Sequence, residues 1–365
     1  MHNLDKYLDT IIRIPKEHTG GLDWPKDAHG EIPTDPQARI DHHKSTWESK
    51  TATKTPISQE VLNKKWIQEI LSTPAKFTEK MNATLTKDIE MCELKATYAQ
   101  NKTNAAPGPT GITNMQWKKA PQAAQFIILD MLNSIYNTGK IPQELKNGTI
   151  YPIPKDPSIP CTSDNARPLT MLESGLKMLT SILATRINEI LRKDPIYNPV
   201  QFAFLPGRNI MDPLHIIENV QSNARTNNAE IHQTFLDLTQ AFDRLEFWAS
   251  DLAIKRMNYP QKFTNLIDNL NTDSERKIIT KDGTTTPWKL ECGVAQGEVL
   301  SPIRFITLMD MLATWITIRS NKQNPTNKII GYKMKHKAAN RHEGKPKTTS
   351  QETNDQPHPT TNCQP

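Results

Sequence analysis

The stretch Thr234–Phe247, TFLDLTQAFDRLEF, decides how the rest of the chain is read. Its first five residues have the composition of a buried strand and are too few for a helix of their own. The continuation AFDRLEFWASDLAIKRM sets Leu245, Trp248, Leu252 and Arg256 on successive helical turns. Strand, tight junction and helix follow one another, and Asp237 closes the strand. A carboxylate fixed there can face a cleft, which suits a metal ligand. Mg²⁺ takes oxygen donors, one or two carboxylates with substrate phosphates, and paired ions can clamp an in-line phosphoryl displacement. Capping the next helix is the ordinary role of a lone Asp at such a position, so its surroundings have to decide.

Downstream, RKIITKDGTTTPWKL (276–290) predicts a hairpin about Asp282-Gly283. CGVAQGEVLSP (292–302) then leads into an apolar helix from Pro302 to about Ser320. Upstream, Leu172, Leu176, Leu179, Leu183, Ile187 and Ile190 form the strongest helical stripe of the chain. GTIYPIPK (148–155) is short, apolar and Pro-limited and reads as a hairpin or edge strand. FIILDMLNSIYNTGKIP (126–142) predicts a helix through Phe126, Leu129, Leu132 and Ile135/Tyr136, stopped by Gly139 and Pro142. NAAPGPTGI (104–112) is a rigid turn. Two amphipathic helices are expected before it, marked by Val61, Leu62, Trp66 and Ile70 and by Ile89, Cys92, Ala96 and Ala99.

Four regions result: an extended, linker-like segment 1–55, broken by prolines; a helical lead-in 56–100; a main body 101–332; and a disordered polar tail 333–365 with no aromatic residue. Among 365 residues, 45 Lys+Arg against 39 Asp+Glu give a net charge of +6, which permits a nucleic-acid partner without requiring one. Apolar content is 36 %, low for a chain that packs throughout, and 27 prolines add to that deficit. The best apolar run, Phe305–Ile318, is interrupted by Asp310 and is too short to cross a membrane. Cys92, Cys161, Cys292 and Cys363 show no paired spacing, which argues against a zinc site and leaves reduced thiols as the expectation.

Six segments in fixed order resemble the reverse transcriptases of non-LTR (LINE-type) retrotransposons, over about residues 57–332. FLDLTQAFDRLEF resembles their motif A, and GVAQGEVLSP resembles motif B, usually GVPQGSPLSP. NAAPGPTGI resembles APGPDGI, with Thr110 in place of the acid. LNSIYNTGKIPQELKNGTIYPIPK resembles their helix and fingers hairpin. DNARPLTMLESGLKMLTSILATRI and QFAFLPGRNIMDPLHII resemble the NYRPISLL and QSGFRPGRS segments. DPQARIDHHKSTW (35–47) resembles the linker that joins an endonuclease to the polymerase, and its His42 and His43 are expected on the solvated surface.

The resemblance implies an α+β fold: right-hand polymerase fingers and a partial palm, an antiparallel palm sheet packed on helices, and no thumb. It implies RNA-directed DNA synthesis, with RNA template, DNA primer and dNTP as partners, no membrane, and two Mg²⁺ ions. In that frame Asp237 ligates both ions and Leu238 offers a carbonyl to one. Gln240 and Ala241 lend N–H groups to the triphosphate, and Phe242 is the steric gate against a ribose 2′-hydroxyl. Lys155 and Arg167 hold phosphate oxygens. Gln296 and Gly297 lie beside the nucleotide and template base. Ala295 and Glu298 replace the usual Pro and Ser of motif B, and Glu298 is expected to place an anion near the triphosphate. Arg208 and Asp243 match the family and are expected to act structurally, through ion pairs and helix capping.

The family also carries an aromatic-Ala-Asp-Asp hairpin after motif B, whereas this chain has no Asp-Asp pair. The expectation is therefore an open reading frame shortened at both ends, a metal site lacking its second half, and no activity by the chain alone. Thr234–Leu238 would then lack a strand neighbour, with poor solubility as the result. A non-catalytic RNA-binding scaffold and a group II intron or retron-type polymerase are the alternatives. An intracellular, nuclear setting in a eukaryote follows from the mobile-element character.

Overall fold

Local stop signals set most element boundaries in the computed structural model, which describes residues 21–26, 31–53, 57–73, 76–103, 105–156 and 158–323. The tail expected from residue 333 lies outside the described residues. Helix α1 spans Pro36–Thr51, followed by α2 (Gln59–Leu62), α3 (Lys65–Leu71), α4 (Glu79–Thr86) and α5 (Met91–Gln100). Helices α6 (Asn114–Lys118), α7 (Gln122–Thr138) and α8 (Gln143–Lys146) lead into strands β1 (Gly148–Pro154) and β2 (Ala166–Leu172). Then come α9 (Ser174–Lys193), α10 (Met211–Thr226), α11 (Phe247–Met257) and α12 (Gln261–Asn271). Strands β3 (Glu275–Thr280), β4 (Gly283–Thr284) and β5 (Trp288–Lys289) precede the last helix, α13 (Ser301–Gln323).

The fold is α+β, a small sheet packed on helices. Strand order is β2-β1-β3-β4, with β5 also on β3. The sheet is antiparallel except where Gly148–Ile150 of β1 run parallel to Arg276–Ile278 of β3. The hairpin reading of 148–155 holds, since β1 pairs antiparallel with β2, while the pairing with β3 rules out the alternative of an edge strand. The reach of the β3 pairing is short for a reason: Pro152 and Pro154 fall beyond the β3 register, so their missing N–H groups interrupt no ladder on that side. The hairpin predicted at Asp282-Gly283 forms, with Thr280 opposite Gly283.

The leucine stripe of α9 is buried as expected, and Leu179 and Leu183 pack in one cluster with Leu132 and Tyr136 of α7, Phe263 and Leu266 of α12, and Ile306 of α13. Helix α7 ends at Gly139, which adopts the left-handed C-cap. Phe126, expected on its buried face, is exposed. The lead-in also differs from its reading. Its first helix breaks at Asn63 into α2 and α3, with Ile67 and Ile70 buried and Trp66 exposed, and α5 buries Leu94, Thr97 and Tyr98 instead of Cys92 and Ala96. Cys161 and Cys292 are free thiols, but Cys92 is disulfide-bonded, against the expectation of reduced thiols throughout.

The largest correction is at the N-terminal side. Residues expected to be extended form the 16-residue α1, because Pro36 sits at the tolerated first turn and Asp35 caps it, accepting from the Gln37 and Ala38 N–H groups at 3.2 and 3.0 Å. Trp47 of α1 joins Leu22, Ile150, Ala166, Ile278 and Trp288 in a second core cluster against the sheet. Arg39 makes a bidentate pair with Asp282 in the β3–β4 turn, at 2.8 and 2.6 Å.

His43, expected on the surface, is buried, and burial pushes its pKa down to about 4. The folded value lies below the usual 6.5, so the neutral ring favours the folded state above pH 6.5 and that contribution is lost as pH falls through about 4. Urea midpoints are therefore expected to drop between pH 6.5 and 4. His43→Gln should lose part of that dependence; an identical profile for the variant would refute the assignment.

Asp310, read in the sequence as a break in an apolar run, is fully buried on α13. It accepts from Arg256 Nη1 at 2.7 Å, Lys76 Nζ at 3.1 Å and the Asn198 N–H at 2.5 Å. One carboxylate thus ties α11, α13 and the connections before α4 and after α9.

Candidate functional site

The outer face of β2 is built by alternation: Ala166, Pro168, Thr170 and Leu172 point inward, and Arg167 and Leu169 stay exposed. Arg167 pairs with Ile153, which places it at the same end of the β1–β2 hairpin as Lys155. Lys155 is exposed and closes that hairpin, its N–H donating to the Asn165 carbonyl at 2.6 Å and its Nζ to the Asp164 carbonyl at 2.7 Å. Asn165, which sequence reasoning passed over, organises the loop by donating from Nδ2 to the carbonyls of Asp156, Ile159 and Pro160. Lys50 reaches the same loop from α1 and donates to the Ser163 carbonyl at 2.7 Å.

The segment Cys292–Gly297 is stitched between this hairpin and the turn before α11. Gly293 and Val294 donate to the Leu245 and Phe242 carbonyls, both at 2.8 Å. Gly293 has φ +93°, and a Cβ there would lie 2.7 Å from the Asp243 carbonyl oxygen, so only glycine fits. On the other side the Gln296 carbonyl accepts from the Thr170 N–H at 2.7 Å, while its Nε2 donates to Asp243 Oδ1 at 3.4 Å. Gly297, with φ +109°, packs where a Cβ would come within 3.0 Å of the Thr170 carbonyl. The need for glycine that the resemblance attached to a nucleotide is met here already by the protein's own backbone.

Phe242 is held between rings, stacked on Phe305 at 4.9 Å and edge-on to Phe204 at 6.3 Å. Asp243 follows it. Burial pushes its carboxyl above the ordinary range, while the Gln296 bond and the charges of Lys50 and Lys155 pull it back down. Asp243 therefore shares the field of Lys155 and Gln296, a role the sequence could have suggested only through its place directly after Phe242. The expected helix cap is absent: the N-cap of α11 is Glu246. Arg208 likewise makes no ion pair among the described residues; its guanidinium lies 5.5 Å from the centre of the Phe202 ring.

Thr234–Leu238 does not form the expected buried strand. Phe235 and Leu236 are each 80 % exposed, and among the described residues no strand pairs with the segment. A strand-forming composition needs a ladder partner for its backbone groups, and none of the five strands lies alongside. Asp237 is exposed, and its carboxylate makes no hydrogen bond or ion pair among the described residues. Leu238 is exposed with it. Gln240 turns the chain at φ +54° and leads through Ala241 to Phe242. The structure thus joins Phe242, Gln296 and Gly297 to the Arg167 strand, with Lys155 nearby, and leaves Asp237 and Leu238 outside that junction.

No group of three or more His, Cys, Asp or Glu among the described residues could hold a metal ion. Asp237 alone does not make a two-ion cradle, since each Mg²⁺ takes several oxygen donors. Glu298 is placed differently from its expectation. It is buried at the start of α13, accepting from the Leu300 N–H at 2.8 Å and Ser301 Oγ at 3.1 Å, with Arg304 facing it. Its charge answers buried guanidinium groups, not a triphosphate.

Residues 153–332 match the family model described as reverse transcriptase (RNA-dependent DNA polymerase). The chain is 26 % identical over 233 residues to the probable RNA-directed DNA polymerase from transposon X-element of Drosophila melanogaster, covering 62 % of this chain and 25 % of that protein. It is 31 % identical over 216 residues to the RNA-directed DNA polymerase from mobile element jockey of Drosophila funebris, covering 58 % and 23 %. A third similarity, 27 % over 209 residues, is to the Pol polyprotein from the type-2 retrotransposable element R2DM of Drosophila melanogaster, covering 57 % and 19 %. The chain spans about a quarter or less of the length of these relatives. No described helix is long and apolar enough to cross a membrane.

Proposed function

We propose, from the premise that the chain belongs to the reverse transcriptase family of non-LTR retrotransposons, that it supplies the template- and nucleotide-gripping part of an RNA-directed DNA polymerase. Its partners are an RNA template, a DNA primer and a dNTP, met inside the cell and, in a eukaryote, in the nucleus. What supports the reading is the junction in which Gln296 spans the Thr170 N–H and the Asp243 carboxylate. It fixes the motif B turn beside a strand whose Arg167 is free to meet phosphate. Arg167 offers a planar fork to phosphate oxygens and Lys155 a point charge. Gln240 and Ala241 present N–H groups, and Phe242, held by its two ring neighbours, excludes a 2′-hydroxyl.

Mg²⁺ would neutralise the triphosphate and activate the primer hydroxyl in the whole polymerase. The described residues do not assemble its ligand set. That same fact favours, as a second reading, an RNA-binding scaffold without turnover.

Anisotropy of an RNA template annealed to a labelled DNA primer tests both. Affinity is expected to fall steeply with salt, and Arg167→Ala and Lys155→Ala should each reduce the salt slope by about 1. Unchanged slopes would remove the proposed interface. Primer extension by the chain alone is expected to be no faster than by Asp237→Ala; clear incorporation above that control would discard the scaffold.

A further inference from the structure

Behind the motif B turn lies a cavity of about 30 Å³, lined by Lys146, Asn271, Ser274, Arg276, Glu298 and Arg304 among apolar neighbours. That is room for one or two water-sized occupants. Buried polar groups ordinarily find partners, so each unfilled one identifies what is missing. Arg276 spends Nη1 on the Lys146 carbonyl, Ser274 Oγ and the Glu275 carbonyl, at 2.9, 2.9 and 2.7 Å. Arg304 gives Nη2 to Asn271 Oδ1 at 2.8 Å, leaving its own Nε and the Asn271 Nδ2 buried with none.

The unfilled groups at the wall are donors, while Asp251 Oδ1 and Asp268 Oδ1, which act on Arg304 from behind it, are buried without a hydrogen bond as well. The acceptor at the wall, the Glu298 carboxylate, is engaged with Leu300 N–H and Ser301 Oγ. Three cationic side chains face the space against that single carboxylate; Asp251 and Asp268 act on Arg304 without lining it. Arg276 has no carboxylate within ion-pair distance among the described residues, and burial lowers its pKa to about 10.

We propose that this cavity is a binding site for a small monovalent anion of halide size, chloride in a physiological medium. A halide accepts from several donors at once and adds negative charge beside Lys146, Arg276 and Arg304. The ion would lock the loop bearing Gln296 to α12 and β3.

The test uses the full chain in sodium chloride and in sodium gluconate at equal ionic strength. Chloride is expected to raise the melting midpoint by about 2–4 °C in a saturable way. Arg276→Met removes a buried guanidinium that makes no ion pair and feels Glu298 only at longer range, so it should fold and should lose the chloride response. For the unmodified chain, crystals grown in bromide should show an anomalous peak between Arg276 and Arg304. Equal midpoints in the two salts, or a response that survives Arg276→Met, would overturn the site. So would an empty or water-filled cavity in bromide. A bromide peak without any effect on melting would mark an adventitious ion only, and would equally end the proposal.

Discussion

Asp310→Ala is expected to cost about 3–5 kcal/mol of unfolding free energy, the range seen when one partner of a buried ion pair is removed. The carboxylate is fully buried, and so is the Arg256 guanidinium that donates to it at 2.7 Å. Without Asp310, Arg256 keeps bonds to the Ile70 carbonyl, Thr73 Oγ1 and Thr314 Oγ1 but loses its counter-charge. Lys76, partly exposed, can turn to solvent; the Asn198 N–H cannot. Equilibrium urea denaturation measures the effect. A loss below about 1 kcal/mol, the scale of an exposed pair, would mean that water reaches the site.

Glu298→Ser, which installs the residue usual in motif B, is expected to destabilise the chain by about 1–3 kcal/mol, the range for lost hydrogen bonds to a buried charged group. The usual family residue fails here because of context: Arg304 is buried facing Glu298, and Arg276 lies within its field. Serine also lacks the second carboxylate oxygen, so it cannot accept from both the Leu300 N–H and Ser301 Oγ as Glu298 does. The paired change Glu298→Ser with Arg304→Leu should recover much of the loss, because it withdraws both charges together. A double-mutant cycle in urea decides the matter. Strict additivity of the two changes would show that Glu298 and Arg304 do not sense each other.

Much of the architecture was legible because short-range signals and tertiary needs agreed. The leucines of α9 recur at helical spacing and are buried, Gly139 stops α7, and Asp282-Gly283 turns β3 into β4. The motif order pointed to the family, and residues 153–332 match its model. The proline content of the N-terminal side hides α1, because Pro36 behind the Asp35 cap is a starting signal and not a breaker. Thr234–Leu238 was misread for the opposite reason. Composition states what a segment can pair with, and pairing depends on a partner elsewhere in the chain. Phe242, Gln296 and Gly297 lie near one another as their motifs suggest, but the Asp243–Gln296 contact and the facing of Glu298 and Arg304 depend on the tertiary fold. No local pattern encodes them.

The contacts of α1 carry a lesson about where this molecule can be cut. Thr51 accepts through its carbonyl from the Glu291 and Cys292 N–H groups at 3.1 and 3.0 Å, and its hydroxyl accepts from Trp288 Nε1 at 3.0 Å. The family match begins a hundred residues later, at 153. An excised piece starting there would bare the Trp288 indole and unpin the strand leading to Gln296. The smallest autonomous unit is therefore larger than the homologous one, and recombinant boundaries chosen from sequence similarity would dismantle the turn they were meant to isolate.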